Sequence, residues 1–572
     1  MRSTPPPLST PASPHRAGPD RRRVIAAAAL LAVAAFPALA QETHQHPVEP
    51  GEKLGTVDFA VSCSAAARPK FQRAVALLHS FAYEESERAF QDVLAMDPTC
   101  AMAHWGVAMT LFHPIWAAAN PTAAPSAAEL ARGLDEVEKA TTPGPPTARE
   151  RDYVAAVRAF YAGADHLDHR ARSVAFAGAM EQVHARYPAD QEAAIFYGLA
   201  LLGTASPADK TYTVQKKAAD VLNAVLPSAP DHPGIAHYVI HSFDYPPLAE
   251  LALPAARAYA RIAPSAPHAL HMPSHIFTRL GLWDESIAGN LASAEAARRV
   301  VARLHPGATS FDELHALDYL EYAYLQEGRD AEADGVRQQI GRVVTLDVPN
   351  FAAAYALAAV PARHALERRD WATAAALTLA PSSFPWAQFP HTEAIGVFTR
   401  AVGAARQSDL PAARIAVSRL QEIEDRLRAK NDSYWGDQVR VLHGQASAIV
   451  AQAEGRSEEA VRLMRAAADL EDGTEKSPVT PGSILPARET LADLLLETGD
   501  AAGALVAYDA SLRVAPGRYH SLAGAARAAE ATGDAARAKS YYALLVKQCG
   551  RADASRLEVR NARAALSGAV RP

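Results

Sequence analysis

The feature that most constrains the fold of this 572-residue chain is a repeat with a period of 34 residues. Three pairs of residues near the C-terminus show the period: Gly499 and Gly533, Ala504 and Ala538, and Tyr508 and Tyr542. Around them the apolar residues recur at helical rather than alternating spacing, which indicates amphipathic helices and no sheet. A fixed period of this length, built from paired helices, predicts an all-α solenoid in which each repeat packs against its neighbours.

The pattern resembles that of the tetratricopeptide repeat family. The last repeats carry a glycine turn, a small alanine in the second helix, an aromatic residue four positions on, and a closing proline, Pro516. Looser copies occur upstream, around Tyr83 and at the turns Gly281 and Gly328, so the resemblance covers roughly residues 66–552. It implies a right-handed solenoid of helical hairpins whose first helices line a concave groove that binds a peptide or a partner protein.

The first forty residues have the composition of a secretory signal peptide. Arg21, Arg22 and Arg23 precede an apolar run from Val24 to Phe36, and a small-x-small end closes at Ala40. The run is shorter than the roughly 20 residues that a membrane span needs. We therefore expect cleavage after Ala40, no stable membrane anchor and a periplasmic or secreted location. The arginines also fit, more loosely, a twin-arginine signal, and the choice between the two export routes stays open.

Proline-rich interruptions at 118–125, 141–146 and 473–486 suggest where the array divides. The predicted segments are a signal peptide (1–40), a flexible N-terminal segment (41–65), N-terminal helical repeats (66–145), central diverged repeats with a histidine cluster (146–345), further helical repeats (346–475) and clean C-terminal repeats (485–552).

Cysteine positions predict one disulfide in an exported chain. Cys63 stands just before the first helical segment and Cys100 just after its hairpin partner. An antiparallel helix pair brings those two ends together, so we expect Cys63 and Cys100 to be bonded. Cys549 is left over and fits a buried small apolar residue.

Charge and motif content narrow the function classes. The chain has 57 Lys and Arg against 63 Asp and Glu, a net charge of −6 and no long basic block, which argues against nucleic-acid binding. Three cysteines exclude a metal site built from many thiolates. We find no His-Glu-x-x-His, no Gly-x-Ser-x-Gly elbow, no phosphate loop and no dinucleotide fingerprint. The sequence therefore names no reaction and leaves open whether the protein is an enzyme.

Two His-x-x-x-His pairs are the strongest candidates for a site: His237 with His241, and His271 with His275. On a helix each pair places both imidazoles on one face, one turn apart, which suits a divalent transition metal such as zinc or copper. One pair alone is a weak signal, because the chain has 21 histidines. However, equivalent members of the two pairs are separated by 34 residues, so the pairs occupy equivalent positions in adjacent repeats.

Further polar residues extend this cluster. Asp244 follows one turn after His241. Alignment on Gly328 sets His315, Asp318 and Tyr322 at positions that match His268, His271 and His275. We expect one ligand-binding centre facing the groove, with two groups of residues: His237, His241, Asp244, His271 and His275 as metal ligands, and His268, His315, Asp318 and Tyr322 as further ligand-binding residues.

The sequence leaves open the geometry of the second histidine pair, the significance of the repeated histidines and the class of function. Pro273 lies between His271 and His275, and proline is comfortable only in the first turn of a helix. A helix that begins at Pro273 would limit the one-face argument to His237 and His241. A repeat duplication also copies histidines without a function. The protein is thus either a scaffold that holds a peptide or protein partner, with the histidines as a ligand site, or a metal-binding protein or metal-dependent enzyme.

Overall fold

A computed structural model describes residues 51–116, 124–142, 144–206 and 209–568. The predicted signal peptide, with the first ten residues after it, and most of the linker at 118–125 lie outside the described residues. Within these ranges the chain is helical, apart from loops and a single parallel bridge between Thr309 and Leu346. The prediction of an all-α array of helical hairpins is therefore confirmed for this part of the chain. None of its helices is both long and apolar enough to cross a membrane.

The helices of the N-terminal half are α1 (Arg68–His79), α2 (Tyr83–Met96), α3 (Ala101–Thr110), α4 (Ala127–Thr141), α5 (Ala148–Tyr161), α6 (His169–Arg186), α7 (Gln191–Leu202), α8 (Thr213–Val225), α9 (Pro233–Phe243), α10 (Leu253–Ile262), α11 (Pro267–His271), α12 (Pro273–Leu280) and α13 (Trp283–Leu304). Those of the C-terminal half are α14 (Phe311–Gln326), α15 (Asp330–Ile340), α16 (Phe351–Glu367), α17 (Trp371–Ala375), α18 (Pro390–Arg406), α19 (Leu410–Ala429), α20 (Ser433–Ala453), α21 (Ser457–Gly473), α22 (Ala487–Glu497), α23 (Ala501–Val514), α24 (Tyr519–Ala531), α25 (Ala535–Gln548) and α26 (Leu557–Ser567).

Neighbouring helices pack as hairpins along the chain, beginning with α1 against α2. Helices α11 and α12 together form one first helix, because Met272 between them keeps helical backbone angles (φ −51°, ψ −37°). The break falls at Pro273, which has no backbone N–H to offer the preceding turn.

The first helices of the hairpins form the inner layer of the array. Every residue of α9 is buried, and so is every residue of α14 after Asp312. Their sequences carry apolar residues around the whole circumference, as fully buried helices do. The expectation that these helices line an open groove is therefore wrong for α9 and α14, because neighbouring parts of the array cover them.

The C-terminal repeats pack back onto the middle of the chain. The Gln326 side-chain oxygen accepts a hydrogen bond from the Tyr519 backbone N–H (3.0 Å), and the Gly328 carbonyl accepts one from Asp553 (3.0 Å). Likewise, α1 packs against α9. These contacts join residues about two hundred positions apart and close the array over its inner helices.

Residues 51–65 are ordered by packing, unlike the predicted flexible segment. Phe59 is fully buried against Phe71, Trp105 and Tyr153, with ring centroids 5.0 to 5.7 Å apart. The Thr56 backbone N–H donates to the Asp231 carbonyl at 3.0 Å. Burial of this aromatic side chain therefore holds the segment in place, although the segment has no regular secondary structure.

Two hydrophobic cores follow one another along the chain. The first contains buried side chains from Leu54 to Phe277, and the second contains those from Trp283 to Ala562. The division falls at Gly281, between α12 and α13.

A buried ion-pair cluster ties α16, α22 and α24 together. Arg518, just before α24, donates to both carboxylate oxygens of Glu489 on α22, at 3.1 and 2.9 Å. It also contacts Glu367 on α16, and Ser521 donates to Glu489 at 2.6 Å. The Arg518 side chain is fully buried. Closure of the array also buries Glu489.

Replacing Gly281 with alanine should destabilise the protein by about 2–4 kcal/mol, combining backbone strain with a steric clash. Gly281 has φ +68°, and a Cβ there would lie 2.6 Å from the Pro516 carbonyl oxygen. Gly499 is the matched control, because its φ is +91° but no described residue has an atom within 4 Å of its Cβ position. Gly499→Ala should therefore cost only the strain, about 1–2 kcal/mol. Urea titration of both variants measures the difference, and equal losses would contradict the close approach at Gly281.

Candidate metal centre

The first histidine triad consists of His237, His241 and His268. His237 and His241 lie one turn apart on α9, and His268 comes from α11. The His237 Nε2 atom is 3.1 Å from His241 Nε2 and 3.0 Å from His268 Nε2. All three rings are buried, and one nitrogen from each falls within 4.8 Å of the others.

A backbone carbonyl fixes the orientation of His237. Its Nδ1 atom lies 2.6 Å from the His79 carbonyl oxygen, which can only accept a hydrogen bond. Nδ1 therefore carries the proton, and the Nε2 lone pair faces His241 and His268. Tyr259 stacks on the His237 ring at 5.1 Å, and Phe81 meets it edge-on at 4.4 Å. Packing thus holds the ring in this position.

The second triad consists of His271, His275 and His315. His271 ends α11, His275 lies on α12, and His315 lies on α14. The Nε2 atoms of His271 and His275 are 3.0 Å apart, and one nitrogen from each of the three rings falls within 4.8 Å of the others. His315 Nε2 is buried and has no hydrogen-bond partner among the described residues. The proline between His271 and His275 therefore does not separate the pair.

Hydrogen bonds also set the tautomers of the second triad. His271 Nδ1 is 2.7 Å from Asn290 Oδ1, and the Asn290 amide nitrogen donates to the Ser286 carbonyl, which turns the oxygen toward His271. His275 Nδ1 is 3.0 Å from Asp244 Oδ2. Both Nδ1 atoms therefore donate, and both Nε2 atoms present lone pairs to each other.

Asp244 supports the second triad rather than joining it as a ligand. Its Oδ1 atom accepts from Arg279 Nε at 2.9 Å, while Oδ2 accepts from His275. Burial alone would raise the pKa of Asp244, but Arg279, Lys476 and His275 hold it well below its usual range. The carboxylate is thus ionised and orients the imidazole from its far side, as outer-shell carboxylates do at metal sites.

Both triads follow one plan within the repeat. Each takes a His-x-x-x-His pair from one first helix and a third histidine from the next first helix along the chain. The third histidines, His268 and His315, occupy matching positions relative to the turns Gly281 and Gly328. His268 also lies between the two pairs, with its ring centroid 4.8 Å from His237 and 6.4 Å from His271.

The six imidazoles are neutral near pH 7. Burial is the largest cause that lowers the pKa of each, and neighbouring imidazoles lower most of them further. The pKa of His241 falls to about 3. Neutral imidazole is the form that binds metal ions.

These shifts predict that the stability of the metal-free protein depends on pH. Unfolded histidines bind protons below about pH 6.5, whereas the folded triads resist protonation. Folded-state pKa values below the unfolded values mean that stability is lost as pH falls. As the pH falls below about 6.5, the free energy of unfolding should decrease by about 1.4 kcal/mol per pH unit for each histidine that stays neutral in the folded protein. Urea titrations with a chelator at pH 7.5 and 5.5 measure the change, and equal stability at both would contradict it.

Besides Asp244, two further predicted site residues do not join the triads. The buried Asp318 carboxylate accepts from Arg363 at 2.8 Å. The Tyr322 ring lies 5.3 Å from the Arg363 guanidinium and meets Trp283 edge-on at 5.8 Å. Both residues therefore belong to the packing between α14 and its neighbours, since the repeat register fixes a helical position but not the partner opposite it.

A third cluster joins His79, Glu192 and His232, and it has a structural explanation. The two Glu192 oxygens lie 3.0 Å from His79 Nε2 and 3.0 Å from His232 Nε2. The remaining ring nitrogens contact the Tyr238 hydroxyl and the Gly234 N–H. Every ring nitrogen has a partner within the protein, so this cluster lacks an unpartnered nitrogen such as His315 Nε2 of the second triad.

Sequence reasoning missed three groups that support the triads: the His79 carbonyl, Asn290 and Arg279. Only Arg279 had a usable signal, because it lies four residues after His275 on the same helix face. Asn290 lies on a second helix, outside the register of the pairs.

No protein-family model matches this sequence, and no curated protein matches it either. Among solved structures, the chain is similar to Naa15/Naa10 bound to HypK-THB (12% identity, 88% of this chain and 73% of that chain, TM-score 0.22). It is also similar to the P58(IPK) TPR domain (14% identity, 66% and 99%, TM-score 0.20) and to yeast Tom70 (10% identity, 88% and 96%, TM-score 0.27). Sequence identities and TM-scores as low as these do not support a conclusion about function. The helical hairpins of this chain themselves identify the fold as a tetratricopeptide-like array.

Proposed function

We propose that the protein binds two transition-metal ions, one in each histidine triad. The observation that carries this proposal is the pair of Nε2 atoms of His271 and His275, which face each other at 3.0 Å. Both Nδ1 protons are donated elsewhere, so two lone pairs meet with no hydrogen between them. A cation between the two nitrogens removes that repulsion, and His315 Nε2 supplies a third unpartnered donor beside it.

The donor set favours copper or zinc. Six neutral imidazoles with no carboxylate among them suit these metals better than magnesium, calcium or manganese. Nitrogens bound tetrahedrally at 2.0–2.1 Å are about 3.3 Å apart, and the observed separations of 3.0 and 3.1 Å are near that value. Three protein ligands also leave one coordination position open, as at catalytic sites. A metal-dependent enzyme is therefore the form of this function that the ligand count favours.

Elemental analysis of the purified protein tests the proposal. Protein loaded with copper or zinc and then desalted should retain two ions per chain. Retention of less than a tenth of an ion, together with no heat of binding on titration with either metal, would overturn it.

The location of this function is periplasmic or secreted. The support is the sequence of residues 1–40 and, among the described residues, a bond between the sulfurs of Cys63 and Cys100. A disulfide that closes the hairpin of α1 and α2 fits an oxidising compartment. N-terminal sequencing of the exported chain tests cleavage after Ala40, and a mature chain that begins at Met1 would contradict it.

A scaffold for a peptide or protein partner is the second candidate function. The support for it is a cavity of about 600 Å³ beside the loop from Gly473 to Pro486. His391 lies against this cavity and stacks on Trp435 at 4.2 Å. Neither of its buried ring nitrogens has a hydrogen-bond partner within the ranges that the structure describes. A bound peptide would change the fluorescence of Trp435. Screening of peptide pools against the protein and a Trp435→Phe control tests this, and equal signals from both would count against it.

A further inference from the structure

A cavity of about 600 Å³ lies beside the two triads. Its wall includes His268 and His315, the third histidines of the first and second triads. Six aromatic side chains line it: Phe81, Tyr83, Trp116, Phe311, Phe351 and Phe389. This volume lies within the range of about 300–1,000 Å³ that is typical of small-molecule sites.

The aromatic wall is continuous with the first triad. The Trp116 ring centroid lies 6.2 Å from those of both His241 and His268, in edge-on geometry. The Phe81 ring lies 5.6 Å from that of His268. A ring-shaped molecule placed against these side chains therefore lies next to the histidines.

Four carboxyl groups lie on another part of the wall: Glu84, Glu85, Asp312 and Asp347. Glu84 and Glu85 are already paired with His305 and Arg303.

In the part of the chain that the structure describes, Asp312 and Asp347 form no ion pair, and His305, which pairs with Glu84, is the basic residue that acts on Asp347. The Asp347 carboxylate accepts from the backbone N–H groups of Phe311 and Val348. Asp312 is half-buried, and loss of solvation together with Asp347 and Glu85 raises its pKa to about 7. A cation bound beside Asp312 and Asp347 would relieve their mutual repulsion.

We propose that this cavity binds a small aromatic molecule that carries a protonated amine. Its ring lies among the aromatic side chains near His268, and its ammonium group lies beside Asp312 and Asp347. The proposal deepens the proposed function, because it names the class of molecule that would lie next to the metal ions. The amine site itself does not require the metal, so the two claims are separable by experiment.

Calorimetric titration with tryptamine, compared with its anionic counterpart indole-3-propionate, tests the ligand class. At pH 7.5 tryptamine should bind at least tenfold more tightly, in both the zinc-loaded and the metal-free protein. Asp312→Asn should weaken tryptamine binding about tenfold without weakening the binding of indole-3-propionate. Equal affinity for the two compounds, or tighter binding of the anion, would overturn the proposal.

Two valines provide a matched pair for the position of the ligand. Val348 lines the cavity and is 41% exposed, whereas Val344 in the same loop is 77% exposed and does not line it. Val348→Trp should fill the cavity and reduce tryptamine affinity at least tenfold, while Val344→Trp should leave it unchanged. Equal effects in the two variants would place the binding elsewhere and overturn the proposal.

The proximity of bound tryptamine to the metal ions can be measured separately from its affinity. Copper(II) in the triads should broaden the indole proton resonances of bound tryptamine, and zinc should not. Sharp resonances in protein shown to hold copper would overturn the placement beside the triads. Tryptamine binding to a protein that retains no metal would support the amine site while contradicting the metal centre.

Discussion

Replacing His275 with alanine should lower the metal content from two ions per chain to one. The variant loses one of the three imidazoles of the second triad and keeps the first triad whole, because His237, His241 and His268 make no hydrogen bond to His275. His241→Ala should empty the first triad in the same way, and the double variant should bind no metal. Elemental analysis and a competition assay with a chromophoric chelator measure stoichiometry and affinity.

The expected loss of affinity at the altered site is at least about 100-fold, because removal of an outer-shell partner alone costs about 10–100-fold. Asn290→Ala supplies that milder case, since it removes the acceptor of the His271 Nδ1 proton. His391→Ala is the control for loss of a buried histidine, and it should retain two ions. Two ions in the His241→Ala/His275→Ala protein would contradict the assignment of the triads as metal ligands.

Replacing Arg518 with methionine should destabilise the protein by about 3–5 kcal/mol. The change keeps the length and apolar volume of the side chain but leaves the carboxylates of Glu367 and Glu489 buried without their cation. An uncompensated buried charge is costly, whereas the intact pair contributes little net stability. The destabilisation therefore measures the cost of burying two carboxylates without a cation rather than the strength of the intact ion pair.

Arg537→Met is the matched control, because Arg537 is 44% exposed and pairs with Asp509 on the surface. A surface pair of this kind is worth about 0–1 kcal/mol. Urea titration followed by circular dichroism compares the two variants. A loss below about 1 kcal/mol for Arg518→Met would mean that water reaches the cluster.

The sequence was sufficient to predict the helices and the histidine pairs, because both depend on local spacing. The glycines at the turns, the small alanines in the second helices and the two His-x-x-x-His motifs all repeat in register. The same register also set His268 and His315 at equivalent positions, and both provide third members of triads.

Burial of the centre was not predictable from the repeat, because it depends on contacts between distant segments. Gln326 and Tyr519 meet across 193 residues, and nothing in a 34-residue period specifies that contact. The partner of a charged residue is non-local in the same way. Asp318 matched His271 in register, yet it lies opposite Arg363 and forms an ion pair with it.

The second triad spans the boundary between the two hydrophobic cores, whereas the first triad does not. His271 and His275 flank Met272, which packs in the first core, whereas His315 follows Leu314, which packs in the second. All three histidines of the first triad come from helices of the first core. An ion bound to the second triad, as proposed above, would therefore cross-link residues that belong to two different hydrophobic cores.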